Sequence, residues 1–196
     1  MNVYNKENIE EVKNDLLSSK IVAFPTDTVF GLACLTNDEV AKNKIYEAKN
    51  RPENKKLPMM VSSMEMLEKY CELNDETRKL FNAFTPGPMT FILKYKDSDE
   101  TVAIRIPDDD WILDLINTVG KPLLVTSANI SGEGSLIKYE DVVSQIGDRV
   151  DGIVKADARG DKPSTIVDCL NNFKILREGP ITKEQIEKII KGDSND

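Results

Sequence analysis

Four cations fall within the eight residues KNRPENKK (49–56): Lys49, Arg51, Lys55 and Lys56, set against the single acid Glu53. Pro52 disfavours helical geometry at the residue before it, so Arg51 is expected to be extended at a helix end, close to Lys49 and one turn-like excursion from Lys55. Arginine offers a planar fork and lysine a point charge, a combination suited to phosphate oxygens. Taken alone, such a cluster is more often a solvated helix end. A second stretch, TSANISGEGS (126–135), is small, polar and glycine-bearing, and directly follows an apolar run. Backbone amides in such a turn can cradle an anion, and Ser127 and Asn129 could bond a ribose or a phosphate. An ordinary strand-to-helix loop fits it equally well. It is not a Walker loop, since GxxxxGK[ST] is absent, nor a Rossmann fingerprint, since Gly132 and Gly134 lack a third glycine.

Two further stretches place polar groups where a core would be expected. IVAFPTDTVFGL (21–32) begins as an apolar run, is interrupted by a proline, an aspartate and two threonines, and then turns apolar again. In TVAIRIP (101–107), Val102, Ile104 and Ile106 fall on one face of a strand and Ala103 and Arg105 on the other. A mid-strand arginine faces water or a ligand carboxylate, and water is the default. Histidine is absent and the three cysteines, Cys34, Cys71 and Cys169, are far apart with no CxxC pair. A Ser-His-Asp or Cys-His mechanism is therefore excluded, a cysteine–histidine zinc site is not expected, and the thiols read as reduced structural groups. The Arg-Gly-Asp triplet of ARGDKPST reads as chance, and Trp111 as a packing residue.

The elements that must hold these groups alternate along the chain. Ile9, Val12 and Leu16 share one helical face within 6–18, and a strand follows at 20–25. Thr36 with Glu39 predicts a capping box opening a helix at 37–49, and Ser62 with Glu65 another before Leu67. Leu80, Phe81 and Phe84 mark a helix closed by Pro86-Gly87-Pro88. Strands are predicted at 89–95, 101–107, 122–126, 152–156, 164–170 and 174–178, and helices at 110–119 and 139–146. Thr182 and Gln185 cap a last helix onto which Ile181 can staple, ended by Gly192. The expectation is one α/β domain over residues 1–192 around a mixed sheet, with a frayed polar tail at 193–196.

Composition sets bounds on function. The 196 residues are 40% apolar and 31% charged, enough for one sizeable core. The formal net charge of −8 lacks the broad basic footprint of a protein that grips a long nucleic-acid backbone, so an anionic ligand must be met by a local cluster of cations. No apolar run approaches the roughly 18 residues of a membrane span. The N-terminal MNVYNKENIEEV has no signal-peptide core, so a soluble, cytoplasmic protein is expected.

Taken together and in this order, these pieces resemble the YrdC/TsaC family of threonylcarbamoyl-AMP synthases over about residues 8–190. The resemblance is carried by PTDTVFGL, KNRPENKKLP, TPGPMTFIL, VAIRIP, SAN, STIVD and ILREG. It implies a twisted α/β open barrel with one large concave, cation-lined cavity. It also implies that L-threonine and bicarbonate form a carbamate which attacks the α-phosphate of ATP, releasing pyrophosphate. Threonylcarbamoyl-AMP would pass to downstream transferase proteins that modify adenosine 37 of tRNA, with tRNA itself bound weakly at most.

Carried over by position, Thr28, Arg105, Ser127 and Ser164 would hold threonine. Arg51, Lys55, Thr101, Asn129, Ser135 and Arg177 would hold ATP, with Lys49 and Arg51 serving catalysis. Mg2+ would ride on the phosphates without a protein carboxylate cage. Pro25 to Thr28 would end a strand at the cavity wall, over a floor of Phe24 and Phe30. The chain departs from the family pattern at Phe30 for tyrosine, Lys56 for proline, Met60 for histidine and LREG for LRPG, and it matches the short, single-domain form. An RNA-binding or ribosome-maturation paralogue using the same cavity is the alternative. A carbamoyl-handling accessory domain, as in hydrogenase maturation proteins, is disfavoured because its usual neighbouring modules are missing.

Overall fold

A computed structural model describes residues 1–192; the tail expected to fray, 193–196, lies outside the described residues. Ten strands are connected with seven helices: β1 (Asn2–Tyr4), α1 (Ile9–Leu17), β2 (Val22–Phe24), β3 (Gly31–Leu35), α2 (Glu39–Lys49), β4 (Met59–Met60), α3 (Met64–Glu68), α4 (Asp75–Phe84), β5 (Met89–Lys94), β6 (Thr101–Arg105), α5 (Asp110–Val119), β7 (Leu123–Ser127), α6 (Tyr139–Ile146), β8 (Gly152–Val154), β9 (Thr165–Asp168), β10 (Lys174–Arg177) and α7 (Lys183–Lys191). The strands form one mixed sheet in the order β1-β8-β2-β3-β7-β4-β6-β5-β9-β10. β1 and β10 are its two ends, so among the described residues the sheet is open and the pairing closes no barrel.

Period-two alternation decides which residues meet which layer. In β2 and β3, Ala23, Leu32 and Cys34 join a cluster with Ala41 and Ile45 of α2 and Val142 and Ile146 of α6. The intervening Val22, Phe24 and Ala33 pack on the other face with Val12 and Leu16 of α1 and Ile112, Leu115 and Ile116 of α5. That half of the sheet is covered on both sides. In the other half, Met89, Phe91, Leu93, Val102, Ile104 and Val167 pack under Leu80 and Phe81 of α4 and Ile186 of α7. Phe81 and Phe91 stack with ring centroids 3.7 Å apart. Cys34, Cys71 and Cys169 are all buried and reduced, and burial pushes their thiols up to about 12, 11 and 12.

The helix ends show where local signals were read correctly and where they were not. Thr182 and Gln185 form the expected reciprocal box. The boxes expected at Thr36 and Ser62 are displaced. Asp38 caps α2, its carboxylate accepting from the Ala41 amide at 3.0 Å, and Ser63 caps α3 by accepting from Met66 at 3.1 Å. Thr36 instead donates its hydroxyl to the Pro122 carbonyl. Each cap sits one or two residues later because a side chain that accepts from the amide three positions on must itself lie at the helix boundary.

The N-terminal strand is pinned by Asp15 of α1, whose carboxylate accepts from the Tyr4 hydroxyl, from Asn2 at 3.2 Å and from Lys20 at 2.7 Å. Burial raises the Asp15 carboxyl, but the hydrogen bonds from Lys20, Tyr4 and Asn2 outweigh it and hold the group below its usual value of 3.8. A carboxylate held low in the folded state stabilises above its unfolded value, and that stabilisation disappears as pH falls through the folded one. Urea unfolding midpoints measured between about pH 5 and 2 should therefore fall less steeply for Asp15→Asn than for the native chain. Parallel curves would remove the assigned role.

Candidate functional site

The cavity lies where the helical cover stops. Along β5, β6 and β9 the residues that do not enter the core, Thr90, Ala103, Arg105 and Ile166, face a cavity of about 280 Å³. Thr26, Thr28 and Phe30 of the 25–30 turn, Met60, Ser127 and Ser164 complete its walls, and Arg51, Lys56 and Arg177 bring cations to it. The interrupted stretch IVAFPTDTVFGL is thus two antiparallel strands, β2 and β3, joined by a polar turn at the cavity wall. Thr26 donates its hydroxyl to the Val29 carbonyl at 2.7 Å and accepts from the Thr28 amide at 3.0 Å. The Thr28 hydroxyl lies 3.0 Å from that of Thr26, whose proton is already committed, so Thr28 is the donor of this pair. Of the two expected floor residues, Phe30 lines the cavity, whereas Phe24 belongs to the cluster under α1 and α5, with an edge contact to Trp111.

Arg105 ends β6 beside Met60, its register partner in β4, and is 4% exposed. Water was its default partner in the sequence; instead its Nε donates to the Gly87 carbonyl at 3.0 Å, Nη1 to Thr28 Oγ1 at 2.9 Å and Nη2 to Asp27 Oδ2 at 2.5 Å. Burial lowers its pKa, and the charge of Asp27 works against that shift. Arg177, from the last residue of β10, donates to the Ser164 carbonyl at 2.9 Å and to its hydroxyl at 3.1 Å. Ser164 Oγ is also 2.7 Å from Thr90 Oγ1.

Helix α2 does end at Lys49, with Asn50 in the left-handed conformation as its cap. Arg51 then folds back on its own loop, donating from Nε to the Lys55 carbonyl at 3.1 Å and from Nη2 to the Lys56 carbonyl at 3.0 Å. Lys49 goes elsewhere. Its side chain is 1% exposed and its Nζ donates to the carbonyls of Ser127 and of Asn129, the latter at 2.6 Å. Burial, helped by the charge of Arg51, pushes Lys49 down to about 8. Lys49 thus clamps the TSAN turn from behind and does not line the cavity.

The structure therefore gathers Thr28, Arg51, Arg105, Ser127, Ser164 and Arg177 around one cavity and leaves Lys49, Lys55, Thr101, Asn129 and Ser135 off its walls. Thr101 borders a separate cavity of about 480 Å³, which Lys56 also reaches. Asn129 is buried, donates to the Ile130 and Glu133 carbonyls at 2.9 Å each, and keeps Oδ1 without a protein partner. Residues that sequence reasoning passed over also matter. Asp27 holds Arg105, and Arg159 of the dismissed Arg-Gly-Asp triplet donates its amide to the Thr26 carbonyl at 3.0 Å. A Cβ on the next residue, Gly160, would lie 2.5 Å from the Thr28 carbonyl oxygen, so only glycine lets this loop sit on the 25–30 turn. Among the described residues no group of three or more histidines, cysteines or carboxylates is placed to hold a metal, and no helix is long and apolar enough to cross a membrane.

Comparison with known proteins identifies relatives of the chain. The threonylcarbamoyl-AMP synthase of Bacillus subtilis is 38% identical over 95% of the chain, and that of Vibrio parahaemolyticus is 34% identical over 88%. The crystal structure of P. abyssi Sua5 complexed with L-threonine superposes with a TM-score of 0.89 at 32% identity over 97% of the chain. The chain spans 57% of the length of the Bacillus protein and 61% of the P. abyssi chain, but the match covers all of the Vibrio protein. The family model of the Sua5, YciO and YrdC domain, described as telomere recombination, matches residues 14–179, and with these relatives it shows that the chain belongs to the Sua5/YciO/YrdC family.

Proposed function

We propose that the chain is a threonylcarbamoyl-AMP synthase, joining L-threonine, bicarbonate and ATP into threonylcarbamoyl-AMP with release of pyrophosphate. The observation that carries this reading is the convergence of three arginines, Arg51, Arg105 and Arg177, on one cavity with the hydroxyls of Thr28, Ser127 and Ser164. They arrive from a helix end and two separate strands, so no local feature of the sequence brings them together. The synthase name carried by relatives at 34–38% identity favours this reading over the RNA-binding alternative.

The chemistry asks for what the cavity offers. The amine of threonine and bicarbonate give a carbamate with loss of water; a carbamate oxygen then forms a bond to the α-phosphorus as the bond to the pyrophosphate oxygen breaks. Both reactants are anions, so their repulsion must be offset and the charge on the transferring phosphoryl group stabilised by fixed cations. Arg51 and Arg177 fill that role at the cavity, and the nucleophile is already anionic, so the absence of histidine leaves nothing undone. Arg105 with Thr28 and Ser164 takes the amino acid. At about 280 Å³ the cavity is below the usual 300–1,000 Å³ of small-molecule sites, so part of the ATP extends past its rim. Magnesium arrives on the nucleotide. The product then passes to a downstream tRNA-modifying transferase, tRNA itself being held weakly at most by a chain of net charge −8.

Pyrophosphate release measured with threonine or bicarbonate left out in turn tests the reading: release should need both, and release needing neither would overturn it. Arg51→Ala is expected to cut release by about a hundredfold or more while leaving the melting temperature near that of the native chain; unchanged turnover would remove its phosphate role. Lys49→Met leaves two carbonyls without their donor, so release should fall about tenfold or more and amides 128–131 should exchange faster with deuterium. Lost activity with unchanged exchange would mean that Lys49 meets the substrate directly.

A further inference from the structure

Three arginines serve one cavity, but they are not electrostatically alike. Arg51 donates to the carbonyls of Lys55 and Lys56, and Arg177 to the carbonyl and hydroxyl of Ser164, all neutral oxygens. Among the described residues neither is in an ion pair. Arg105 alone is paired, through Nη2 to Asp27 Oδ2 at 2.5 Å, with the two side chains 5% and 7% exposed. Asp27 does not line the cavity and accepts also from the Asp108 amide at 3.2 Å, so it holds the guanidinium from behind.

Resting on the synthase reading, we propose that Asp27 is the positioning residue that sorts the two anionic substrates. The pair Asp27–Arg105 carries no net charge, so its pull on a distant, multiply charged triphosphate is small; Arg51 and Arg177 keep theirs. At contact range the geometry of the fork remains. A guanidinium has five N–H donors, and three are engaged with Gly87, Thr28 and Asp27, leaving two, one on each terminal nitrogen. Two fixed donors without net charge suit a single carboxylate. Asp27 thereby directs the carboxylate of the amino acid to Arg105 and leaves the triphosphate to the two uncompensated arginines.

Initial rates of pyrophosphate release, with threonine varied at low and high ATP, test this in the native chain, Asp27→Asn and Asp27→Glu. Asn keeps the shape and removes the charge: the KM for threonine should rise about tenfold or more, with kcat within about threefold, and ATP should become a competitive inhibitor against threonine. Glu keeps the charge and displaces the fork: the KM for threonine should rise without ATP competition, a prediction that stands even where the Asn variant does not fold. An unchanged threonine KM, or threonine and ATP constants moving together without competition, overturns the inference. Native protein that needs neither threonine nor bicarbonate for release overturns the proposed function and this inference with it.

Discussion

A guanidinium can be buried in a sheet only if fixed oxygens meet its charge, and three of the five donors of Arg105 find such a partner. The strand β6 turns Val102 and Ile104 into a core under two helices, and the same alternation turns Ala103 and Arg105 to the opposite, helix-free face. Left alone, a cation there would face desolvation worth several kcal/mol. Gly87 from the TPGP turn, Thr28 from the β2–β3 turn and Asp27 beside it converge to offset that cost. The loop around Gly160 then presses on the same turn and fixes it. Much of the irregular backbone near the cavity is explained by this one side chain.

The same logic explains how an acidic chain builds a cationic site. With a net charge of −8 the surface offers anions little attraction. Cations are instead held at short range by backbone carbonyls, as with Arg51 on Lys55 and Lys56, Arg177 on Ser164, and Lys49 on the TSAN turn. Carbonyl partners orient a charge without cancelling it, so attraction is confined to the cavity and its rim. A long polyanion meets little of it, whereas a small anion inside the cleft meets Arg51 and Arg177 at close range.

Much of this architecture is legible in the residues, and the failures have physical causes. The helices at 110–119 and 139–146 matched on their apolar period, and the last helix on its Thr182–Gln185 box. β3, GLACL, went unread because glycine and small residues carry little strand propensity; it forms because β2 and β7 pair on both its sides. β1 and β4 are too short to show any period. For the site, the parity of β6 correctly put Arg105 opposite the core, but its burial depends on Asp27 and Gly87, 78 and 18 positions away in the chain. Lys49 reads as one of four similar cations, and only the tertiary placement of Ser127 and Asn129, 78 and 80 positions on, separates its role from that of Arg51.

The three cysteines are sealed in the cores on the helix-covered faces of the sheet, and burial keeps their thiolates scarce at neutral pH. A thiol reacts as its thiolate, so the folded chain presents almost nothing for an oxidant or an alkylating reagent to attack. Cys34 lies under α2, whereas Cys71 and Cys169 lie in the cluster under α4 and α7. Modification at one sulfur rather than the others would thus record which half of the sheet had parted from its helices, and the chain carries its own chemical gauge of where it breathes.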